Sequence, residues 1–379
     1  MNRPLFILLL ATSLLARIVL IPNPGFEADV SFWKSWGLAT LDLGVIKGLP
    51  LTNFNYPTPF AYFLGFMVWI YSLFADPHNF NEFWQNTNLL FLIIAKAFPI
   101  IADFGIAAVF LYIGKHTKKL GFPSLNPASP AGRSTLYPLL SLIYLLSPIS
   151  LIDGALWGQI DSVGVLIFLC ALLSALKKQP FVAGLIFMIA MMTKLQNMVY
   201  GPIFFLFVWQ FAGFTGLARA AFGALTGFVG LNIEFILARQ SWRVLASITS
   251  NYDYFPWLSL NAYNPWWIFS GAHGQEISDK VAAIGILNAK TVGILAFSSF
   301  YLFAILHQLL RNTKTYLSNY SAAAKLLTID QTQVAIKRFL ESLIIVNAAF
   351  FLFQTQSHER YAFPLSIFLL LWAPFFITI

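Results

Sequence analysis

The chain has 379 residues, of which 58% are hydrophobic and only 10% charged, and its mean hydropathy is +0.73. Soluble globular domains carry roughly 25% charged residues, so the composition excludes one and predicts an all-α, polytopic membrane protein. The net charge of +8 does not mark a nucleic-acid binder, because Lys and Arg gather in short loops between apolar runs, as in cytoplasmic loops under the positive-inside rule.

Aromatic residues at 17%, including 39 Phe and 11 Trp, suit lipid-facing and interfacial surfaces. The single cysteine, Cys170, lies in an apolar run and excludes an internal disulfide or a Cys-based metal site. Without a small-residue cleavage site, the first apolar run, Leu5–Ile21 behind Arg3, reads as a retained helix rather than a signal peptide. No linker or repeat divides the chain, so residues 1–379 read as one integral-membrane domain.

In chain order, membrane helices are predicted near 5–21, 89–113, 135–152, 163–176, 181–194, 201–216, 220–237, 291–310, 339–354 and 362–378. Basic residues mark one side: Lys115, Lys118, Lys119 and Arg133, then Lys177 and Lys178, then Arg219, then Lys314, Lys325 and Lys337 within Arg311–Arg338. With ten crossings and both termini cytoplasmic, all of these fall inside. Residues 60–74 are apolar and nearly long enough to cross, behind the proline-rich start Tyr56-Pro57-Thr58-Pro59. A crossing there moves the basic loops from Lys115 to Arg219 outside, so an interfacial or re-entrant helix is expected, with an eleven-helix arrangement as the rival. Residues 22–88 then form a large extracytoplasmic loop, and residues 240–290 a second.

Glu27 and Asp29 follow the first run, and carboxylates at a membrane surface are costly unless solvated, paired or used. The other predicted outer segments mix aromatic, amide and charged residues. They include Trp157, Gln159 and Asp161; Lys194 and Gln196 at a helix end; Asn251, Tyr252, Asn261, Tyr263 and Asn264; and His358, Glu359, Arg360 and Tyr361. Aromatic faces pack on sugar rings while amides and carboxylates bond hydroxyls; an aromatic belt at the headgroups is the plainer reading. Lys194, His358 and Arg360 can pair a phosphate, against snorkelling for Lys194 and a Glu359 salt bridge for the other two. Lys96 and Asp103, seven residues apart on one helix face, are expected to form a buried structural pair.

A sugar site beside a phosphate site at the bilayer surface implies a lipid-phosphate sugar donor. Asp29 is the candidate base for the acceptor hydroxyl, and fixed cations stabilise the leaving phosphate. Glu27 can assist, or Glu27 and Asp29 can hold a divalent cation such as Mg or Mn.

These residues carry a family resemblance. Glu27-Ala28-Asp29, Asn55-Tyr56-Pro57-Thr58-Pro59, Trp157-Gly158-Gln159-Ile160-Asp161, Thr193-Lys194-Leu195-Gln196, Asn261-Ala262-Tyr263-Asn264 and His358-Glu359-Arg360-Tyr361 resemble, in order and spacing, the GT-C superfamily. The similarity is greatest to bacterial and archaeal membrane mannosyltransferases related to GPI mannosyltransferase II. The resemblance implies a bacterial plasma-membrane glycosyltransferase with an extracytoplasmic site. It also implies a catalytic acid at Asp29, inversion at the anomeric carbon, and a dolichyl- or undecaprenyl-type phosphosugar donor, with mannose as the default sugar and a lipid-linked or glycolipid acceptor. Relatives commonly have Tyr-Pro-Pro and Lys-Pro-Gln where this chain has Tyr56-Pro57-Thr58-Pro59 and Lys194-Leu195-Gln196. The competing readings are a transporter or flippase of lipid-linked sugars, and a structural or assembly subunit.

Overall fold

In the computed structural model, which describes residues 3–124, 136–249, 253–310 and 329–377, the apolar runs are helices. The one expected at 135–152 stops at Leu146, those at 201–216 and 220–237 join in one kinked helix to Leu231, and that at 339–354 begins at Ile329. The helices are α1 Arg3–Leu20, α2 Glu27–Gly48, α3 Phe60–Ser72, α4 Leu89–Lys115, α5 Leu136–Leu146, α6 Asp161–Leu176, α7 Pro180–Thr193, α8 Gly201–Leu231, α9 Ser241–Thr249, α10 Ala289–Leu310, α11 Ile329–Phe353 and α12 Phe363–Ile377. Between α9 and α10 a short antiparallel hairpin pairs β1, Ala282–Ile284, with β2, Leu287–Asn288, and isolated bridges join Trp257 to Ser278 and Leu260 and Asn261 to His358. Arg133, Lys314, Lys325, Asn251 and Tyr252 lie outside the described residues.

Four helical stretches are long and apolar enough to cross a membrane: α1, α4, Leu195–Leu231 and Ala289–Leu309. A fifth is reached if α5 and the segment Pro148–Leu156, which meet at 50°, count as one span. The protein therefore has the helical character of an integral membrane protein, but not ten helices of spanning length among the described residues. Helices α3, α6 and α7 are apolar yet have only 13, 16 and 14 residues. At 1.5 Å per residue even α6 reaches about 24 Å, short of a hydrocarbon core of about 30 Å. Local chemistry explains the breaks. Pro148 cannot continue the hydrogen-bond ladder of α5, and Ser147 caps the new start by accepting from the Ser150 amide. In α8, Gly213 takes φ 68°, a conformation that glycine adopts without steric cost, and there the helix splits in two.

The region between α1 and α4 departs from expectation. Expected as a loop holding Glu27 and Asp29, it contains α2, helical over 22 residues with a break at Gly44 and with both acids in its first turn. Carboxylates there face the positive end of the helix dipole, which favours this start although Phe26 offers no side-chain cap. Helices α2 and α3 build a core of their own around Trp33, Trp36, Phe60, Leu64, Tyr71, Phe83 and Phe91. The larger core joins α4 to α8 with α11 and α12, through residues such as Phe110, Phe168, Phe204, Phe339 and Phe368.

One buried polar network pins α1 to the rest. Arg17, fully buried, donates to Asp103 Oδ2 through Nε (3.2 Å) and Nη2 (3.1 Å). Its Nη1 reaches Ser13 Oγ and the Leu145 carbonyl, while Tyr144 donates to Asp103 Oδ1 at 2.6 Å. The expected Lys96–Asp103 pair is therefore replaced by Arg17–Asp103. Lys96 instead donates to the carbonyls of Ile21 (3.0 Å), Asn23 (2.6 Å) and Leu156 (2.8 Å). It thus caps the end of α1, where carbonyls have no intrahelical partner, and holds that end beside residues 156–158.

The basic residues that follow α4 and α6 lie together, Lys177 sitting 4.6 Å from the Tyr112 ring. Asp161 is at the other end of α6, about 24 Å away along the helix.

Candidate active site

Five chain segments converge at that other end. The first turn of α2 supplies Asp29, and Gln159 follows a turn at Gly158, whose φ of 77° suits glycine. Asp161 opens α6, Lys194 and Gln196 follow α7, and Arg360 opens the short helical turn Glu359–Ala362 before α12. Tyr56 precedes α3. The segment carrying Arg360 is held by the 253–290 region. Gln356 N donates to the Trp257 carbonyl and Leu260 N to the Ser357 carbonyl, while the buried Asp279 accepts from Thr355 Oγ1 and Gln356 Nε2.

Two ion pairs form the centre. Arg360 Nη1 stands 3.3 Å from Asp29 Oδ2, with side-chain exposures of 7% and 18%, and Gln159 Nε2 donates to the same oxygen at 2.7 Å. Lys194 Nζ donates to Asp161 Oδ1, which also accepts from Gln196 Nε2 at 2.6 Å. Lys194 lies over the Tyr361 ring at 5.8 Å and within electrostatic reach of Arg360, so the two pairs form one charged cluster, hereafter the chamber. Burial works against the charge on Arg360, but Asp29, Tyr56 and Asp161 outweigh it and hold the guanidinium protonated. Burial also pulls the Lys194 ammonium below its ordinary range, with Asp161 opposing.

His358 departs from its expected part as a phosphate cation. Burial and the positive charges of Arg360 and Lys194 push it down to about 2, so it is a neutral imidazole at physiological pH. Its ring packs against Phe255 and Tyr361. Glu27 is exposed and stands two residues from Asp29, a spacing at which helix side chains do not face each other. Among the described residues no three His, Cys, Asp or Glu side chains gather as metal ligands, and Asp29 Oδ2 is already engaged by a guanidinium and an amide. The Glu27/Asp29 pair therefore does not fit a divalent cation.

The second outer region contributes less than expected. Asn264 caps a short helix by accepting from the Trp267 amide and donates to the Phe351 carbonyl, so its amide is committed to packing. Tyr263 is 70% exposed, its ring edge-on to Trp267. Asn261 pairs with His358 through its backbone. Trp157 is half-buried, and its carbonyl presses on Gly25. A Cβ on Gly25, whose φ is +75°, would stand 2.6 Å from that oxygen. Gly25→Ala is accordingly expected to shift the start of α2 and weaken whatever the site does severalfold, with thermal stability lowered by about 1–3 kcal/mol; unchanged activity and melting would show that Asp29 needs no such fixing.

Sequence reasoning named Tyr361 beside Arg360 but passed over Asp153 as a neighbour of the charged cluster. Asp153, buried to 3% exposure, carried a signal: it is a carboxylate directly after the predicted membrane helix 135–152. An apolar groove of about 170 Å³ adjoins the chamber, lined by Phe60 and Phe63 of α3, Ile160, Val163 and Ile167, and Ile189, Met192 and Thr193 of α7. Its walls thus include the immediate chain neighbours of Asp161 and Lys194. No family model matches the chain, and no curated protein matches it.

Proposed function

We propose that the protein is a membrane glycosyltransferase that moves a hexose, by default mannose, from a polyprenyl-phosphate sugar to a hydroxyl of a lipid-linked or glycolipid acceptor, with inversion. The observation that carries this reading is the pairing of two buried cations, Arg360 and Lys194, with two carboxylates, Asp29 and Asp161, beside an apolar groove. The groove suits an isoprenoid chain, and the cations suit its phosphate, Arg360 through two parallel donors and Lys194 as a point charge. The basic loops at the far end favour a cytoplasmic position for that end and an extracytoplasmic position for the chamber. In a bacterium the membrane is then the plasma membrane. The same residues carry the resemblance to the GT-C superfamily.

In the proposed step, Asp29 accepts the proton of the acceptor hydroxyl as that oxygen bonds to the anomeric carbon. The bond from that carbon to the phosphate oxygen breaks on the opposite face, and its electron pair leaves with the lipid phosphate. Arg360 and Lys194 stabilise the charge on the departing phosphate. Arrival of the donor requires Arg360 to exchange part of its contact with Asp29 for the phosphate, which leaves the carboxylate free for the acceptor.

The test is transfer itself. Purified protein with radiolabelled polyprenyl-phosphate mannose, glucose or galactose and candidate lipid acceptors is expected to yield a glycosylated lipid and free polyprenyl phosphate in equal amounts. Sugar-lipid movement across vesicles without transfer would favour the flippase instead.

A further inference from the structure

The charged cluster leaves more buried acceptors than donors without a partner. Among the described residues, both carboxylate oxygens of Asp153 are buried without a hydrogen-bond partner, as are Gln159 Oε1, Asp161 Oδ2 and Gln196 Oε1. Arg360 Nε is a buried donor in the same condition. Asp153 is 3% exposed and Asp161 1%, and the Asp153 carboxyl group lies within electrostatic reach of Asp161, Lys194 and Arg360. Its backbone carbonyl also accepts from the Gln159 amide at 2.8 Å, which fixes the segment against the site. Acceptor oxygens left unpaired in a buried position oppose folding, and such cost concentrates where a ligand supplies the missing partners.

The missing partners are donors. A second anion supplies none, and a metal cation placed here would meet the positive charges of Lys194 and Arg360. A neutral polyol supplies several, each hydroxyl being a donor that a carboxylate oxygen binds strongly. We propose that Asp153, with the free oxygens of Gln159, Asp161 and Gln196, binds the hydroxyl groups of the hexose and so sets which sugar the protein accepts. This rests on the reading of the chamber as a lipid-phosphate sugar site, and it assigns Asp153 to the sugar rather than to the phosphate or the proton.

The full-length protein in nanodiscs is titrated with farnesyl phosphate and with farnesyl-phosphate mannose, glucose and galactose. For at least one sugar, binding is expected to be about tenfold or more tighter than for the bare phosphate. Asp153→Asn is expected to remove most of that difference and leave farnesyl phosphate unaffected. It is also expected to leave the melting temperature of the empty protein unchanged or raised, since a buried acidic group without a hydrogen-bond partner is lost. Gln196→Met should weaken sugar binding in the same direction. The assignment is overturned if Asp153→Asn keeps the sugar-dependent difference, weakens both lipids equally, or fails to fold. Stabilisation of the empty protein by Na, Mg or Ca salts that disappears in Asp153→Asn would also overturn it in favour of a cation site. A sugar-dependent difference without transfer would retain Asp153 and remove the enzyme. Transfer with unchanged sugar preference in Asp153→Asn would do the reverse.

Discussion

Asp29→Asn is expected to lower transfer by about 100- to 10,000-fold, the range usual for loss of a general base, while the protein stays folded. Asparagine keeps the size of the side chain and an oxygen for Gln159, which donates to Asp29 Oδ2 at 2.7 Å. It removes the negative charge beside Arg360, 3.3 Å away, so donor binding should hold or tighten as the guanidinium becomes free for phosphate. A fall in turnover with steady or improved donor affinity is therefore the signature, read from initial rates at saturating donor and from donor titrations. Equal losses in affinity and turnover would instead make Asp29 a binding residue. Undiminished turnover would remove it as the base.

The largest stability effect is expected away from the chamber. Arg17→Met leaves the fully buried Asp103 carboxylate without its cation, and removing one partner of a buried pair costs about 3–5 kcal/mol. Tyr144 still donates to Asp103 Oδ1 and Ser162 stays beside the carboxyl, so the loss is of the cation rather than of every partner. Replacing both charges, as Arg17→Met with Asp103→Leu, should recover most of the loss, because an apolar pair of similar volume pays no desolvation penalty. Thermal unfolding in detergent distinguishes the cases. A double variant as unstable as the single one would show that the network supports the bundle through packing rather than charge.

Much of the bundle was legible in the sequence because apolar runs have few ways to satisfy their backbone groups in lipid. Thus Leu89–Lys115, Ala289–Leu310 and Phe363–Ile377 begin and end close to where hydropathy places them. Helix α2 was not legible for the same reason: Lys34, Asp42, Ser35 and Gly37 interrupt its hydropathy, and its apolar side chains pack against α3 rather than lipid. The choice of partner for Asp103 also escaped the pattern. Spacing along one helix places Lys96 and Asp103 on one face, but it carries no information about Arg17, which arrives from another helix. Within the chamber the residue types were readable and their division of labour was not. Lys194 and Arg360 each pair with a carboxylate, whereas His358 is held neutral by its burial and by the two cations beside it. Asp153 was passed over because one carboxylate in an apolar run resembles a membrane-helix end until its unpaired oxygens are seen.

The central claim is that one chamber binds a lipid phosphate by Arg360 and Lys194 while Asp29 faces the carbon under attack. A density map of the full chain with farnesyl-phosphate mannose, collected with the Asp29→Asn variant to hold the donor intact, tests it most directly. The account predicts the phosphate between Arg360 and Lys194, the isoprenoid chain in the groove beside Phe60 and Met192, and residue 29 on the sugar side. A phosphate bound at the basic end near Lys177, or a sugar turned away from residue 29, would contradict it.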